Sequence, residues 1–369
     1  MPVCPKTSRP RLGRWGSSQL SKRRQCDDLC AAAGPVVPAR NEAERLPTLL
    51  SALAQQTWLF AANKLLDVVV VLNNCDDHSA EIVNVASTRH DGLRLHVVDV
   101  RFPPPWAHVG SARRLAMERA PNIGGPHSVL FSTDADAAPA ADWIEASLRS
   151  ISAGADLVGG HIIGDKGEET LLGKGFLRRA THHLEYAGLV NRLKSLVDPD
   201  PHDSWPRHVD HTGASLAVRG DVYRAVGGIP PISFREDVVF VTRAVARGYR
   251  LRHPVEVRVS VSARLDGRAR GGMADCLKAW LAADAAGQSQ LVDDAAAVLT
   301  RLARRHKRGA LASASGRGSI PLPGGRPIWL PREFADSCIR GRGKPIGIET
   351  AIMQMKQIIA ASPDSIRVT

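Results

Sequence analysis

The sequence predicts an α/β domain, a doubly wound mixed sheet flanked by helices, followed by a helical C-terminal appendage. Three observations carry this expectation. Continuous β-branched runs at 65–72 (LLDVVVVL) and 93–100 (LRLHVVDV) have the pattern of parallel strands covered on both faces. Between the runs lie stretches with helical spacing, such as Leu46, Leu49, Leu50 and Leu53. Polar loops follow the strands, so the alternation gathers those loops at one edge of the sheet.

Residues 1–30 carry Lys6, Arg9, Arg11, Arg14, Lys22, Arg23 and Arg24 among Ser, Pro and Gly, without a period, and read as a disordered basic tail. Residues 35–46 (PVVPARNEAERL) predict a short strand, a loop and the start of a helix, with Pro47 tolerated in the first turn. Pro35 would sit badly in a central strand, because proline gives no ladder donor. The strand at 65–72 leads through Asn73, Asn74, Cys75, Asp76 and Asp77 into a short helix containing Ile82 and Val83. A strand at 93–100 and a helix at 110–120 (GSARRLAMERA) come next.

The central stretch is 128–143, SVLFSTDADAAPAADW. Apolar Val129, Leu130 and Phe131 predict a buried strand, and Asp134 and Asp136 stand just beyond it. At the carboxyl end of a parallel strand such acids face a crevice. Two carboxylates so close repel unless a cation lies near them, and Mg²⁺ takes one or two carboxylates together with substrate phosphates. A solvated turn explains the same triplet, and Asp198-Pro199-Asp200 is a second one with no strand before it.

The second half predicts a strand at 155–163 (DLVGGHIIG), a polar segment at 165–210 with His182, His183, Trp205 and His208, and a strand after Gly213 in GASLAVR. A helix at 221–226 and Gly227-Gly228 lead to Arg235, Glu236 and Asp237, which open another helix. An acid there is ordinarily a dipole-compensating cap. A strand at 251–261 is followed by SARLDGRARGG (262–272), a mobile basic loop with Arg264, Arg268 and Arg270. Guanidinium groups suit oxyanions through paired hydrogen bonds, and a plain basic surface turn has the same composition. From about 275 the chain turns Ala-rich and helical, with a cationic cluster at Arg301, Arg304, Arg305, Lys307 and Arg308, linkers at 316–327 and 341–347, and a last helix at 349–361. The expected domains are a tail at 1–30, a main domain at 31–275 and a helical region at 276–369.

The chain has 369 residues, 44% hydrophobic and 23% charged, as a soluble globular protein does. Its net charge of +12 suits a polyanionic partner: nucleic acid, an anionic membrane surface or a phosphorylated substrate. The six cysteines show no paired C-x-x-C spacing, so no disulfide framework or zinc site is expected of them, and a reducing compartment is. No apolar signal segment and no run of the roughly 20 residues needed to span a membrane is present. The expected location is cytoplasmic, with peripheral contact at the inner face of an anionic membrane.

The ordered set PARNE (38–42), VVLNNCDD (70–77), GSARR (110–114), TDAD (133–136), HTGASLAVR (211–219) and FREDV (234–238) resembles the family 2 glycosyltransferases, over roughly residues 35–275. The resemblance implies a GT-A type, Rossmann-like nucleotide-sugar fold and a role for each motif. Pro38, Arg40 and Glu42 would line the pocket for base and ribose, although Glu42 by itself reads rather as a structural capping residue. Asn74 stands where many relatives have an aspartate that accepts from uracil, which opens the identity of the base. Arg113 would reach towards the diphosphate and Arg114 stay solvated. Asp134 would contact ribose or sugar and share with Asp136 a Mn²⁺ or Mg²⁺ ion, with His211 and His253 as further candidate ligands. Asp237 would be the general base and Glu236 its helper, while Arg264, Arg268 and Arg270 would close over the leaving diphosphate. The implied reaction is metal-dependent, inverting transfer of a hexosyl-type sugar from a UDP-linked donor to a hydroxyl acceptor, without specific nucleic acid. Two other classes fit parts of the sequence: a basic α/β protein that binds nucleic acid or another anionic ligand without catalysis, and a GT-A nucleotidyltransferase. The latter lacks its Gly-rich loop near the first strand.

Overall fold

The computed structural model describes residues 33–62, 65–120, 128–268, 272–314 and 345–362. The predicted basic tail, Arg270 and the 316–327 linker lie outside the described residues. The first half alternates as predicted: β1 Ala33–Ala39, α1 Leu46–Ala54, α2 Thr57–Ala62, β2 Leu66–Asn73, α3 Ser79–Arg89, β3 Leu93–Val100, α4 Val109–Arg119 and β4 Val129–Ser132. In space the order is β3, β2, β1, β4, all parallel.

In β2, Val68, Val70 and Leu72 join the core with Leu46, Leu49, Leu50 and Leu53 of α1, while Val69 and Val71 join Ala112, Ala116 and Met117 of α4. Successive strand side chains point to opposite faces, so a strand covered on both sides must be apolar throughout. β1 is central although it contains Pro35 and Pro38, a correction to the unease over Pro35. The ladder runs past them through Val36↔Val69 and Val37↔Val70, and Val36 O accepts from Thr133 N at 3.2 Å.

After β4 the chain forms β5 Ala137–Pro139, α5 Trp143–Ser152, β6 Leu157–Gly159 and β7 His161–Gly164. The single strand expected at 155–163 is therefore two strands, and they belong to different sheets. Gly160 is the corner: an added Cβ would collide with Ser215 Oγ, so only glycine lets the chain turn there. The stretch 165–210 is not merely a polar segment. It contains α6 Lys166–Leu171 and the 24-residue α7 Lys174–Val197.

β8 Leu216–Arg219 starts later than Gly213 and pairs antiparallel with β4 and β6; α8 Gly220–Val226 and α9 Glu236–Ala246 follow. The strand expected at 251–261 is also split, into β9 Leu251–Arg252 beside β6 and β10 Arg258–Val261 between β5 and β7. The result is a seven-stranded mixed sheet, β3-β2-β1-β4-β8-β6-β9, and a three-stranded sheet, β5-β10-β7.

The C-terminal part comprises α10 Met273–Ala285, β11 Leu291–Val292, α11 Ala295–Ala314, β12 Ile346–Gly347 and α12 Ile348–Ala360. α7 is its spine: Leu193 packs with Val298, Leu299, Met355 and Ile358, and Phe176 with Leu277 and Trp280. Among the described residues, no helix is long and apolar enough to cross a membrane.

Candidate active site

The connections run from β1 outward to β3, then return to place β4 on the other side of β1. Strand order reverses between β1 and β4, and open α/β sheets bind ligands in the crevice beyond the carboxyl ends of strands at such a point. β1 delivers Arg40, Asn41 and Glu42 there, and β4 delivers Asp134 and Asp136. Asn41 and Asn74 both have positive φ, 52° and 53°, a conformation asparagine tolerates better than most residues. Asn41 Oδ1 accepts from Asp76 N at 2.8 Å, which ties the loops after β1 and β2 together.

Glu42 is buried, and both of its carboxylate oxygens accept from Arg264, at 2.7 and 2.5 Å. Arg264 Nη2 also lies 3.1 Å from Asp136 Oδ2. The loop expected to be mobile is therefore pinned at this residue. Glu168 on α6 holds it from behind, accepting from Ser262 Oγ and Ala263 N at 2.7 Å each. Arg268 reaches back to Asn41 O at 3.3 Å. Burial, the Asp134 charge and Glu42 push the Asp136 carboxyl up to about 6, against the opposing pull of Arg264.

Arg113, expected to reach out towards a diphosphate, instead turns inward. Its Nε donates to Glu236 Oε1 at 3.0 Å, Nη1 to Ser132 Oγ at 2.7 Å and Gly213 O at 3.0 Å, and Nη2 to Asp134 Oδ1 at 2.7 Å. Burial alone would lower its pKa; Asp134, Glu236 and Asp237 more than reverse this and hold it above the usual arginine range. A Cβ on Gly213 would collide with this guanidinium, so the glycine makes room for a side chain. Arg114, expected to be solvated, donates to Ile229 O at 3.1 Å and pairs with Glu118 at 2.8 Å.

Arg235 is the N-cap of α9, with φ of 57°, so Asp237 sits inside the first turn. Asp237 Oδ2 accepts from Gly213 N at 2.5 Å, and Oδ1 accepts from Val238 N at 2.6 Å. Glu236 is buried against Arg113, while Asp237 is half-exposed. The other motif residues are more dispersed. Arg40 is exposed and donates to Ala107 O at 2.9 Å, and Pro38 is buried within β1. Asn74 spends both ends of its amide on Phe102, donating to its O at 3.1 Å and accepting from its N at 3.0 Å. That clamp occupies the groups a base reader would use. His253 Nδ1 lies 2.7 Å from Asp203 Oδ2 and its Nε2 3.1 Å from His211 Nδ1, so His253 is turned away from the acid pair into a buried Asp203–Arg207 cluster. Asp200 of the second D-x-D triplet accepts from His202 N at an exposed turn.

Sequence reasoning missed Ser132, Glu168 and the bridging role of Gly213. Ser132 directly precedes the TDAD motif at the strand end, which was a usable signal; Glu168 reaches the site only through tertiary packing and left none.

The switch-point crevice, with opposed acids around the buried Arg113 and the half-buried Arg264 in a mixed α/β sheet, defines a ligand-binding domain of the doubly wound class. Residues 36–204 match the family model described as "Glycosyl transferase family 2". Gly213, Glu236, Asp237 and Arg264 lie beyond that match. Glycosyltransferase AglE of Haloferax volcanii aligns at 29% identity over 221 residues, covering 58% of this chain and 62% of the relative. The mannosyltransferase PcManGT from Pyrobaculum calidifontis, solved with GDP-Man and Mn²⁺, shares 18% identity over 93% of this chain and 92% of that one, with a TM-score of 0.44. S. aureus TarS 1-349 with UDP-GlcNAc shares 16% identity over 78% and 76% of the two chains, with a TM-score of 0.45.

Proposed function

We propose that the chain is an inverting glycosyltransferase that moves a hexosyl-type sugar from a UDP-linked donor to a hydroxyl acceptor. One observation carries the proposal: in the crevice the four acids Glu42, Asp134, Asp136 and Glu236 share the two cations Arg113 and Arg264, and Asp136 is pushed up to about 6. Burial first, then Asp134 and Glu42, raise Asp136 although Arg264 lies beside it, because Arg264 is shared with Glu42. Asp134 and Asp136 are partly open to solvent and present oxygens alone, a donor set that fits Mn²⁺ or Mg²⁺ with positions left for phosphate oxygens. When bound there, the ion would supply charge neutralisation for the diphosphate.

The protein's own groups would do the rest. Pro38, Arg40 and Glu42 would flank base and ribose, with Asn74 holding the wall through Phe102. Arg268 and Arg270, on the loop anchored by Arg264, would meet the departing phosphates. The acceptor hydroxyl oxygen would bond to the anomeric carbon as the bond from that carbon to the diphosphate oxygen breaks, with the electron pair leaving on the diphosphate. The hydroxyl proton would pass to Asp237, and Glu236, clamped by Arg113, would fix the turn that aims it. Within the same proposal residues 31–275 are the catalytic domain, 276–369 a brace built on α7, and the protein is cytoplasmic with its basic surface against the inner face of the membrane.

Donor binding with and without Mn²⁺ tests the acid pair. Asp136→Ala is expected to abolish the Mn²⁺-dependent gain in UDP-sugar affinity, and Asp200→Ala to leave it intact. In the unaltered protein the gain should fade as pH drops below about 6, where Asp136 takes up a proton. Unchanged Mn²⁺ dependence in Asp136→Ala would remove the ion from this pair.

A further inference from the structure

A second group of ligating side chains lies between β7 and the loop that carries Gly213. His161, the first residue of β7, His208 and Asp210 each offer a ligand atom, and these atoms lie within 4.8 Å of one another. Both imidazole Nδ1 atoms face the same carboxylate oxygen, Asp210 Oδ2, at 2.9 Å from His161 and 3.8 Å from His208. The two rings stack with centroids 5.0 Å apart. His208 Nδ1 accepts from Asp210 N at 3.0 Å, so this nitrogen is unprotonated with its lone pair on the Asp210 N–H, and the buried Nε2, which carries the ring proton in that tautomer, has no hydrogen-bond partner among the described residues. The His208 side chain is 7% exposed, whereas those of His161 and Asp210 are 32% and 31% exposed, which leaves a path in from solvent.

We propose that His161, His208 and Asp210 form a binding site for a divalent transition-metal ion of the zinc class, separate from the acid pair of the crevice. Two imidazoles and one carboxylate are donors such ions accept in tetrahedral sites, with the fourth position left to water. At metal–ligand distances of about 2.0 to 2.2 Å, tetrahedral ligand atoms stand roughly 3.4 Å apart, so the cluster closes with a movement on the order of 1 Å. No cysteine is involved, which is why cysteine spacing did not reveal the site.

Strand register separates it from the crevice. His161 pairs with Arg258 on β10, whereas Asp136 O accepts from Ser262 N four residues further along. With about 3.3 Å per residue and about 4.8 Å between strands, His161 stands roughly 16 Å from Asp136 across the β5-β10-β7 sheet. The ion would fasten the 208–213 segment to β7, and Gly213, which touches Asp237 and Arg113, is the far end of that segment.

The test uses the full chain, stripped with a chelator, loaded with Zn²⁺ alone and desalted. About one Zn²⁺ per chain should be retained by elemental analysis, with a higher melting temperature than the stripped protein, since an ion that binds only the folded state stabilises it. His161→Ala, and independently Asp210→Asn, should weaken Zn²⁺ binding by about tenfold or more and erase the rise in melting temperature, while Asp136→Asn keeps both. The proposal fails if the unaltered chain retains no Zn²⁺, or if both site variants retain it as the parent does. It fails equally if Asp136→Asn is the variant that loses the ion.

Discussion

Asp237→Asn is expected to lower sugar transfer by on the order of 10² to 10⁴, the contribution of a positioned general base. Asparagine has the same size but cannot take the hydroxyl proton. The structure adds a cost that size alone does not reveal. Asp237 accepts from Gly213 N through one oxygen and from Val238 N through the other, and asparagine can satisfy one of these donors but not both. A stability loss of about 1 kcal/mol should therefore accompany the fall in rate. Donor affinity should change far less than the rate, because Asp237 makes no direct contact with Glu42, Asp134 or Asp136 among the hydrogen bonds of the described residues and reaches Asp134 only through Gly213 and Arg113. A residue that merely closes the first turn of α9 would give the same small stability loss with ordinary turnover. Transfer rate, donor affinity and melting temperature on this one variant separate the two roles, and full activity would remove Asp237 from the chemistry.

Arg113→Met is expected to cost about 3 to 5 kcal/mol of folding stability, the range for removing one partner of a buried ion pair. Methionine fills much of the volume but leaves Glu236 buried without a counter-charge, and frees Ser132 Oγ and Gly213 O of their shared donor. Urea unfolding of Arg113→Met, Glu236→Gln and the double variant checks this. Neutralising Glu236 should recover part of the loss, and strictly additive effects would mean that the pair is not coupled. The parent's metal-dependent donor affinity should also fall in Arg113→Met, because Asp134 loses the contact that orients it.

The parallel half of the sheet was legible because its strands are continuous apolar runs ended by polar loops, as at 65–72 and 93–100. The places that misled share a physical cause. Gly160 and Pro254 break apolar stretches that pass from one sheet to another, and a hydrophobic period says nothing about which sheet a strand joins. α7 escaped because the helices it braces lie around it, so its apolar positions are spread over several faces; only Phe176, Asn191 and Leu193 are fully buried. In the candidate site, Glu42, Asp134 and Asp136 were legible because they follow strand ends, and Glu236 and Asp237 because they open a helix. What Arg113 does was not: its partners Ser132 and Asp134, Gly213, and Glu236 come from three parts of the chain, and no local spacing records that they converge.

Gly213 joins the two sides of the crevice through a single Cα. Its N–H is held by Asp237, and its carbonyl receives both Arg113 and Ser132, so the two peptide planes that meet there are each fixed by a different half of the site. Rotation about either backbone bond of this residue would shift one acid relative to the other. The mutational landscape of the crevice should therefore be epistatic: substitutions at Asp134 and Asp237, placed on opposite sides, should fail to add in a double-mutant cycle, because each alters the frame in which the other is held.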